Sequence, residues 1–439
     1  MLTHFKEKYI GSASFYKRYL CLALPMILQN AITNLVSFLD NIMVGQLGTE
    51  PMSGVAIVNQ LIFVYNLAIF GAVSAASIFG AQYFGKGNHK GHMHSFRFKL
   101  YASLTMTAAT ILLFITKGST LISLYLTDTT GSGATEAALQ YGLEYLAIMM
   151  IGLIPFAINQ SYATNIKETG QTLIPMIASF AAVGINAVLD YLLIFGLGPI
   201  PKMGVIGAAL ATVIARYIEA LIVIVWAHTN RAKNQYLEGA YRGFGIPKAE
   251  FKAILIKGLP LMLNEVFWAA GMTTVTQCYS VRGLEVIAGL NIATTITNLF
   301  NIIYIQLGGC ISIVVGQYLG AGKLKEAKDA DNKMIVFSVF CCAIVAGVML
   351  MFGGLFPQIY NTSEEIKALA TSFIAVSAII MPFCSFSHAS YFTLRSGGKT
   401  MVTFLFDSVF TWVVVVPAAF LLARYTGLGI VSVYFLVQA

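Results

Sequence analysis

The chain has 439 residues, of which 57% are hydrophobic and 10% charged, with a mean hydropathy of +0.76. Those proportions exclude a soluble globular domain. Runs of about 20 or more apolar residues recur along nearly the whole length, which reads as an all-α polytopic membrane protein. The net charge of +8 does not point to nucleic acid, because the basic residues lie between the apolar runs, where they set membrane topology.

Transmembrane helices are predicted over 20–47, 53–82, 96–118, 136–162, 172–197, 204–228, 253–280, 286–318, 334–356, 366–393 and 400–424. A twelfth begins near Gly427, but its 13 residues to Ala439 are too few to span. The expectation is a truncated last helix and a missing natural C-terminal end. With the N-terminus in the cytoplasm, 21 of the 27 lysines and arginines fall in loops assigned inside. Lys117, Lys202, Arg282, Lys367 and Arg424 fall outside, and Arg216 alone lies within a helix. That bias predicts a multi-pass protein of the cytoplasmic membrane with its N-terminus inside.

The first span, LCLALPMILQNAITNLVSFLDNIMVGQL, carries Asn30, Thr33, Ser37 and Asp40 on one helix face. An ionised aspartate deep in such a helix costs about 2.5–3.5 kcal/mol on insertion scales, so this face should avoid lipid. It reads either as a polar seam between helices or as a cation site. The span is too long, and too polar on one face, for a cleaved signal peptide. His89, His92 and His94 follow the second span without a cysteine or carboxylate in register, and read as solvated surface rather than a metal site. All six cysteines fall inside apolar spans and read as small core residues.

The chain repeats itself. Shifted by 235 positions, Leu24-Pro25 lands on Leu259-Pro260, and Gly48, Glu50 and Gly54 land on Gly283, Glu285 and Gly289. Asn66 meets Asn301, and Gln82-Tyr83-x-Gly85-x-Gly87 meets Gln317-Tyr318-x-Gly320-x-Gly322. Later the offset becomes 227, pairing Pro155 with Pro382 and Gly170 with Gly397. Two six-helix halves that both start inside are parallel repeats, an arrangement of alternating-access transporters. The predicted organisation is a cytoplasmic segment over 1–19, a six-helix lobe over 20–228, a linker over 229–252 and a second lobe over 253–439. Pro25, Pro155, Pro260 and Pro382 should bend their helices.

Both halves carry motifs that resemble the multidrug and toxin extrusion (MATE) transporters of bacteria and archaea. These are ALPMILQN, DNIMVGQLGTEPMSGVAI and GAQYFGKG, then GLPLMLNE, RGLEVIAGLNI and GQYLGAGK. The resemblance runs over essentially the whole chain. It implies a V-shaped pair of six-helix lobes exporting organic cations in exchange for Na⁺ or H⁺, with no cofactor beyond that ion. Asp40 falls on the family's first-helix aspartate, which binds the coupling cation. Asn186 and Asp190, in GINAVLDYLLIFG, match the fifth-helix Asn-x₃-Asp, and Thr212, in GAALATV, the sixth-helix oxygen ligand. Glu265 matches the seventh-helix glutamate of one bacterial branch. The helix-ten aspartate of that branch has no counterpart in PFCSFSHASYFTLRSGG, which favours a cation site in the N-terminal lobe.

Asn186 and Asp190 are four apart and share a helix face. If that face meets Asp40, two carboxylates, an amide and a hydroxyl converge. Na⁺ prefers such oxygen ligands, and a proton could occupy the site instead. Arg216 is expected to be neutralised by Glu219 or a membrane-edge position. Glu265 shares a face with Trp268, Met272 and Thr276, suited to a flat cationic ligand through charge and cation–π attraction. Asn291, Thr294, Asn298 and Asn301 form a further stripe on the eighth helix, echoed by Asn59 and Asn66. Such stripes line cavities or act as interhelical glue. Asp407 is expected to snorkel or to pair with Lys399 or Arg395.

The function expected is a secondary antiporter for amphipathic, cationic organic compounds, acting as a monomer in the bilayer without nucleic acid. A flippase for lipid-linked sugars should line its cavity with arginine or lysine. An integral-membrane transferase should show paired acids for a metal, a His-rich site or a Ser/His constellation. Neither pattern is present in the sequence, so no enzymatic activity is expected.

Overall fold

The computed structural model describes residues 8–126, 132–196, 198–199, 201–243, 245–360 and 362–439. Residues 1–7 of the predicted N-terminal segment lie outside the described residues. Helices α1 (Ala13–Gly45), α2 (Thr49–Gly85), α3 (His89–Ser123), α4 (Ser132–Glu168), α5 (Leu173–Phe195) and α6 (Val205–Thr229) form the first half. Helices α7 (Lys248–Ser280), α8 (Leu284–Gly320), α9 (Leu324–Phe352), α10 (Glu364–Ser396), α11 (Thr400–Tyr425) and α12 (Ile430–Gln438) form the second. Among the described residues, α1 to α11 are long and apolar enough to cross a bilayer. Most of them run several residues past the apolar stretches predicted, because a helix continues into its polar end turns, as α1 does through Lys17-Arg18 and α3 through His89–Ser95.

The internal repeat extends to the helix ends. The limits of α1 and α2, shifted by 235, are the limits of α7 and α8. Gly87 (φ 71°) and Gly322 (φ 74°) close α2 and α8 with the same turn. In each, the amide after the glycine bonds back to a tyrosine carbonyl, Asn88 N to Tyr83 O and Lys323 N to Tyr318 O. A left-handed residue is required there, which is why glycine stands at both. The second offset needs correcting by one position. Gly170 (φ 82°) has Gly398 (φ 71°) as its equivalent, not Gly397. The bonds Gly170 N to Lys167 O and Gly398 N to Arg395 O occupy matching places, so the offset there is 228.

Two compact units divide the chain: an N-terminal unit of Leu28–Phe84 and Asn88–Ile254, and a C-terminal unit of Leu255–Ala439 with the stretch up to Ile27 and Gly85–Gly87. The core of the N-terminal unit gathers Val58, Ile62 and Ile69 of α2 with Met149 and Leu153 of α4 and Ile194 of α5. In the C-terminal unit, Tyr19, Ala23 and Met26 pack with Leu307, Cys310 and Ile311 of α8, and the Tyr19 hydroxyl donates to Leu307 O at 2.9 Å. The change of company along α1 falls beside Pro25, whose ring removes a helix hydrogen bond. Large apolar side chains such as Leu112, Ile115 and Phe383 point outward, as a lipid-facing surface requires.

Helix α11 departs from α geometry. Leu405–Val409 and Thr411–Val415 are π-helical turns. Pro417 follows them and cannot donate to the carbonyl four residues back. Each widened turn inserts a residue and rotates what precedes it, and Asp407 lies in the first.

Candidate cation site

The site in the N-terminal unit follows from helix register. Gln29 Nε2 of α1 donates to Ser179 Oγ of α5 at 2.8 Å. Asp40 and Asp190 each lie 11 residues further along the same two helices. Two helices joined at one level and running in the same direction rise together by about 16 Å over that distance. The second level therefore brings the carboxyls side by side, close enough for each to interact with the other. Ser179 Oγ in turn donates to Glu219 Oε1 of α6, so one polar contact pins three helices below the acid pair.

Helix α6 is held against α5 by Gly207, where a Cβ would lie 2.5 Å from Leu193 O. It runs opposite to α5, and Thr212 is seven residues from Glu219, two turns toward the level of Asp190 on the same face. Thr212 is half-buried, and among the described residues it makes no hydrogen bond to the acids.

The electrostatics of the pair are unbalanced. Asp40 Oδ1, both carboxylate oxygens of Asp190 and the Asn186 amide nitrogen are buried without hydrogen-bond partners. Two adjoining carboxylates in an apolar bundle cannot both stay charged without a cation: a shared proton or a hard cation among oxygens must intervene. Tyr145, buried on α4, lies within electrostatic reach of both acids and donates to Asn59 Oδ1 at 3.3 Å. Nothing in its sequence neighbourhood marks Tyr145; only the packing of α4 against α2 does.

Two other residues of the first-helix stripe do not join the site. Thr33 and Ser37 turn their hydroxyls back to Gln29 O and Thr33 O of their own helix. Arg216 is not paired with Glu219, which is taken up by Ser179. Its guanidinium donates to Gly152 O at 3.3 Å and lies 5.3 Å from the Phe156 ring.

In the C-terminal unit, Asn264 rather than Glu265 is the hub. It is 2% exposed, and its Nδ2 donates to Asp407 Oδ2 at 2.8 Å while its Oδ1 accepts from Ser408 Oγ at 2.7 Å. Asp407 therefore neither snorkels nor pairs with Lys399: the π-turn directs it at α7. Helices α7 and α11 come this close at Gly271, where a Cβ would meet Thr411 at 2.7 Å. Glu265 is within electrostatic range of Arg395 and Asp407. Trp268 is 40% exposed and Met272 half-buried. Asn291 and Asn298 are exposed on α8, whereas Asn301 is half-buried.

The histidines after α2 correct another expectation. His92 is 1% exposed, with Nε2 3.2 Å from Glu168 Oε2, and Lys99, fully buried, donates to Glu168 and Asn165. His94 Nδ1 lies 2.9 Å from Glu250 Oε2. Only His89 is solvated.

This helix plan and its duplicated turns match known proteins. Residues 25–192 and 260–421 match the family described as MatE. The chain belongs to the MATE family. It is 27% identical over 414 residues to a probable multidrug resistance protein NorM of Oceanobacillus iheyensis, covering 94% of this chain and 90% of that one. It is 24% identical over 423 residues to the probable NorM of Thermotoga maritima, covering 95% and 88%. Its fold is similar to the outward-facing conformation of a multidrug resistance MATE family transporter of the MOP superfamily. That likeness has a TM-score of 0.85 at 21% identity over 96% of this chain and 92% of the other. This MATE protein is thus a multi-pass membrane transporter and not an enzyme.

Proposed function

We propose that this MATE protein is a secondary antiporter of the cytoplasmic membrane that exports amphipathic organic cations in exchange for Na⁺ or H⁺. The observation that carries the reading is the acid pair: Asp40 beside Asp190, with three buried carboxylate oxygens unpartnered. Asn186, one turn before Asp190 on α5, and Thr212 on α6 supply further oxygens. A cation entering from outside neutralises the pair, and its departure restores a charge that the apolar surroundings penalise. That difference is what couples the ion to the conformational cycle. The basic residues between the spans support an N-terminus in the cytoplasm, and the likeness to the probable multidrug resistance proteins NorM supports multidrug efflux. Glu265, Trp268 and Met272, with Asn291, Asn298 and Asn301, form the substrate-facing set of the second half in this reading.

One-for-one exchange of a monovalent ion for a monocationic drug moves no net charge. The membrane potential, worth about 2.3 kcal/mol per charge per 100 mV, then contributes nothing. The test is efflux of a fluorescent organic cation from vesicles under imposed Na⁺ or pH gradients, in wild type and Asp40→Asn. Gradient-driven export collapses in Asp40→Asn while equilibrium binding of the dye survives in part. Export that persists unchanged in the variant removes the coupling role, and a gradient that drives nothing in wild type removes the antiporter.

A further inference from the structure

At the end of the N-terminal unit where α2 and α4 stop and α3 begins, a cavity of about 270 Å³ opens beside the buried His92. The polar residues that line it include His89, His92, Gln171, Lys233, Gln235 and Tyr236, and none of its lining residues is acidic. Glu168, just behind His92, is met by the Lys99 ammonium, so its charge is cancelled before it reaches the cavity. Among the described residues the Lys233 ammonium at the wall makes no salt bridge, and His89 stands in the first turn of α3, whose amide end favours anions. Tyr236 supplies the second, independent sign. It is 1% exposed, it lines the cavity, and its hydroxyl has no hydrogen-bond partner. A buried hydroxyl left unbonded is one that a ligand can satisfy.

The cavity also sits at a particular depth. The apolar runs of α2 and α4 end here, and Lys90 and Arg231, next in sequence to the lining residues His89 and Ala232, are exposed, the setting in which membrane proteins hold anionic headgroups. We propose that this cavity is a phosphate-binding site, taking a phosphate group carried on an anionic lipid headgroup or free in solution. The site would tie the segment after α6 to the ends of α2, α3 and α4. The same segment is already clamped by Arg97, which donates to Gly239 O, Ala240 O and Gly245 O at 2.7–2.8 Å. This inference does not depend on which ion the acid pair carries.

The experiment follows thermal unfolding of the purified full chain in two arms. In detergent, sodium phosphate is titrated against sodium chloride at matched ionic strength. In vesicles, phosphatidylglycerol is compared with a neutral galactolipid that has no phosphate. A saturable rise in unfolding temperature is expected in at least one arm: with inorganic phosphate for a soluble ligand, with phosphatidylglycerol alone for a lipid-borne one. Lys233→Ala and His89→Ala, both at exposed positions, should each weaken the apparent affinity about five-fold, and Tyr236→Phe should weaken it while leaving the unliganded chain no less stable, since the hydroxyl it removes is unbonded. Phosphate acting no differently from chloride, together with phosphatidylglycerol acting no differently from the galactolipid, overturns the proposal. So does a response undiminished in the Lys233→Ala/His89→Ala double variant.

Discussion

Gln29 and Asn264 are equivalent under the 235-residue repeat, and Ser179 and Asp407 are equivalent under the 228-residue one. In both units, therefore, an amide on the first helix of a half donates to the fifth helix at the same level of the scaffold. What differs is where the acids lie. In the C-terminal unit the acid is at that shared level, as Asp407, and its hydrogen bond is made. In the N-terminal unit the amide meets a serine, which passes the contact on to Glu219 of α6, and the acids Asp40 and Asp190 lie three turns further on, with three of their oxygens unmet. The positions matching Asp40 and Asp190 in the second half are Val275, a core residue, and Ala418. One duplicated frame thus carries a satisfied acid in one unit and an unsatisfied pair in the other. Only the second arrangement calls for a mobile cation, and a hydrogen-bonded frame is kept in both to hold it.

The contrast can be broken most severely at the unsatisfied pair. Asp190→Asn should reduce gradient-driven export in vesicles to background, as Asp40→Asn does. Because it removes one of two adjoining buried carboxyls and lets an amide donate to the other, it should also raise the unfolding temperature in detergent, by about 1 °C for each kcal/mol gained in a chain of this length. Loss of transport with gain of stability separates a functional acid from a structural one. Next comes the buried cluster at the end of the unit. Lys99→Met takes the ammonium away from the buried Glu168 carboxylate, which should cost about 3–5 kcal/mol, measured as a lowered unfolding temperature. Lys99→Met combined with Glu168→Leu should recover most of it.

Smaller effects should come from the shared frame. Asn264→Ala strips the donor from a carboxylate and should cost about 1.5–3 kcal/mol in denaturation. Gln29→Ala, which breaks a bond between neutral groups, should cost only about 0.5–1.5 kcal/mol in the same assay. If the two losses were equal, a direct bond to a carboxylate would count for no more than a bond to a serine, and the comparison would fail at its base.

Much of this architecture was legible in the chain. The spans, the 235-residue repeat and the glycine turns are local or periodic features, written in hydropathy and in residues that tolerate a left-handed backbone. Asp40, Asn186 and Asp190 stood out because a carboxylate in an apolar run is costly wherever it ends up. Asp407 carries the same signal and serves a structural contact, but its partner Asn264 is 143 residues away on another helix and is not legible from the local pattern. His92 looked like surface because its neighbours His89 and Lys90 are surface, while its partner Glu168 is 76 residues away.

By itself, then, the sequence determined how many helices cross, where they turn and which side chains cannot face lipid, because each of these depends on a residue and its near neighbours. Only the tertiary structure decided that Asp40 meets Asp190, that Asn264 rather than a base answers Asp407, and that Tyr236 closes a cavity with its hydroxyl unmet. Those outcomes depend on which helix faces which and at what height. Helical periodicity defines the face of one helix, and only packing, through contacts such as Gln29–Ser179 and the close approach at Gly207, sets the register between two.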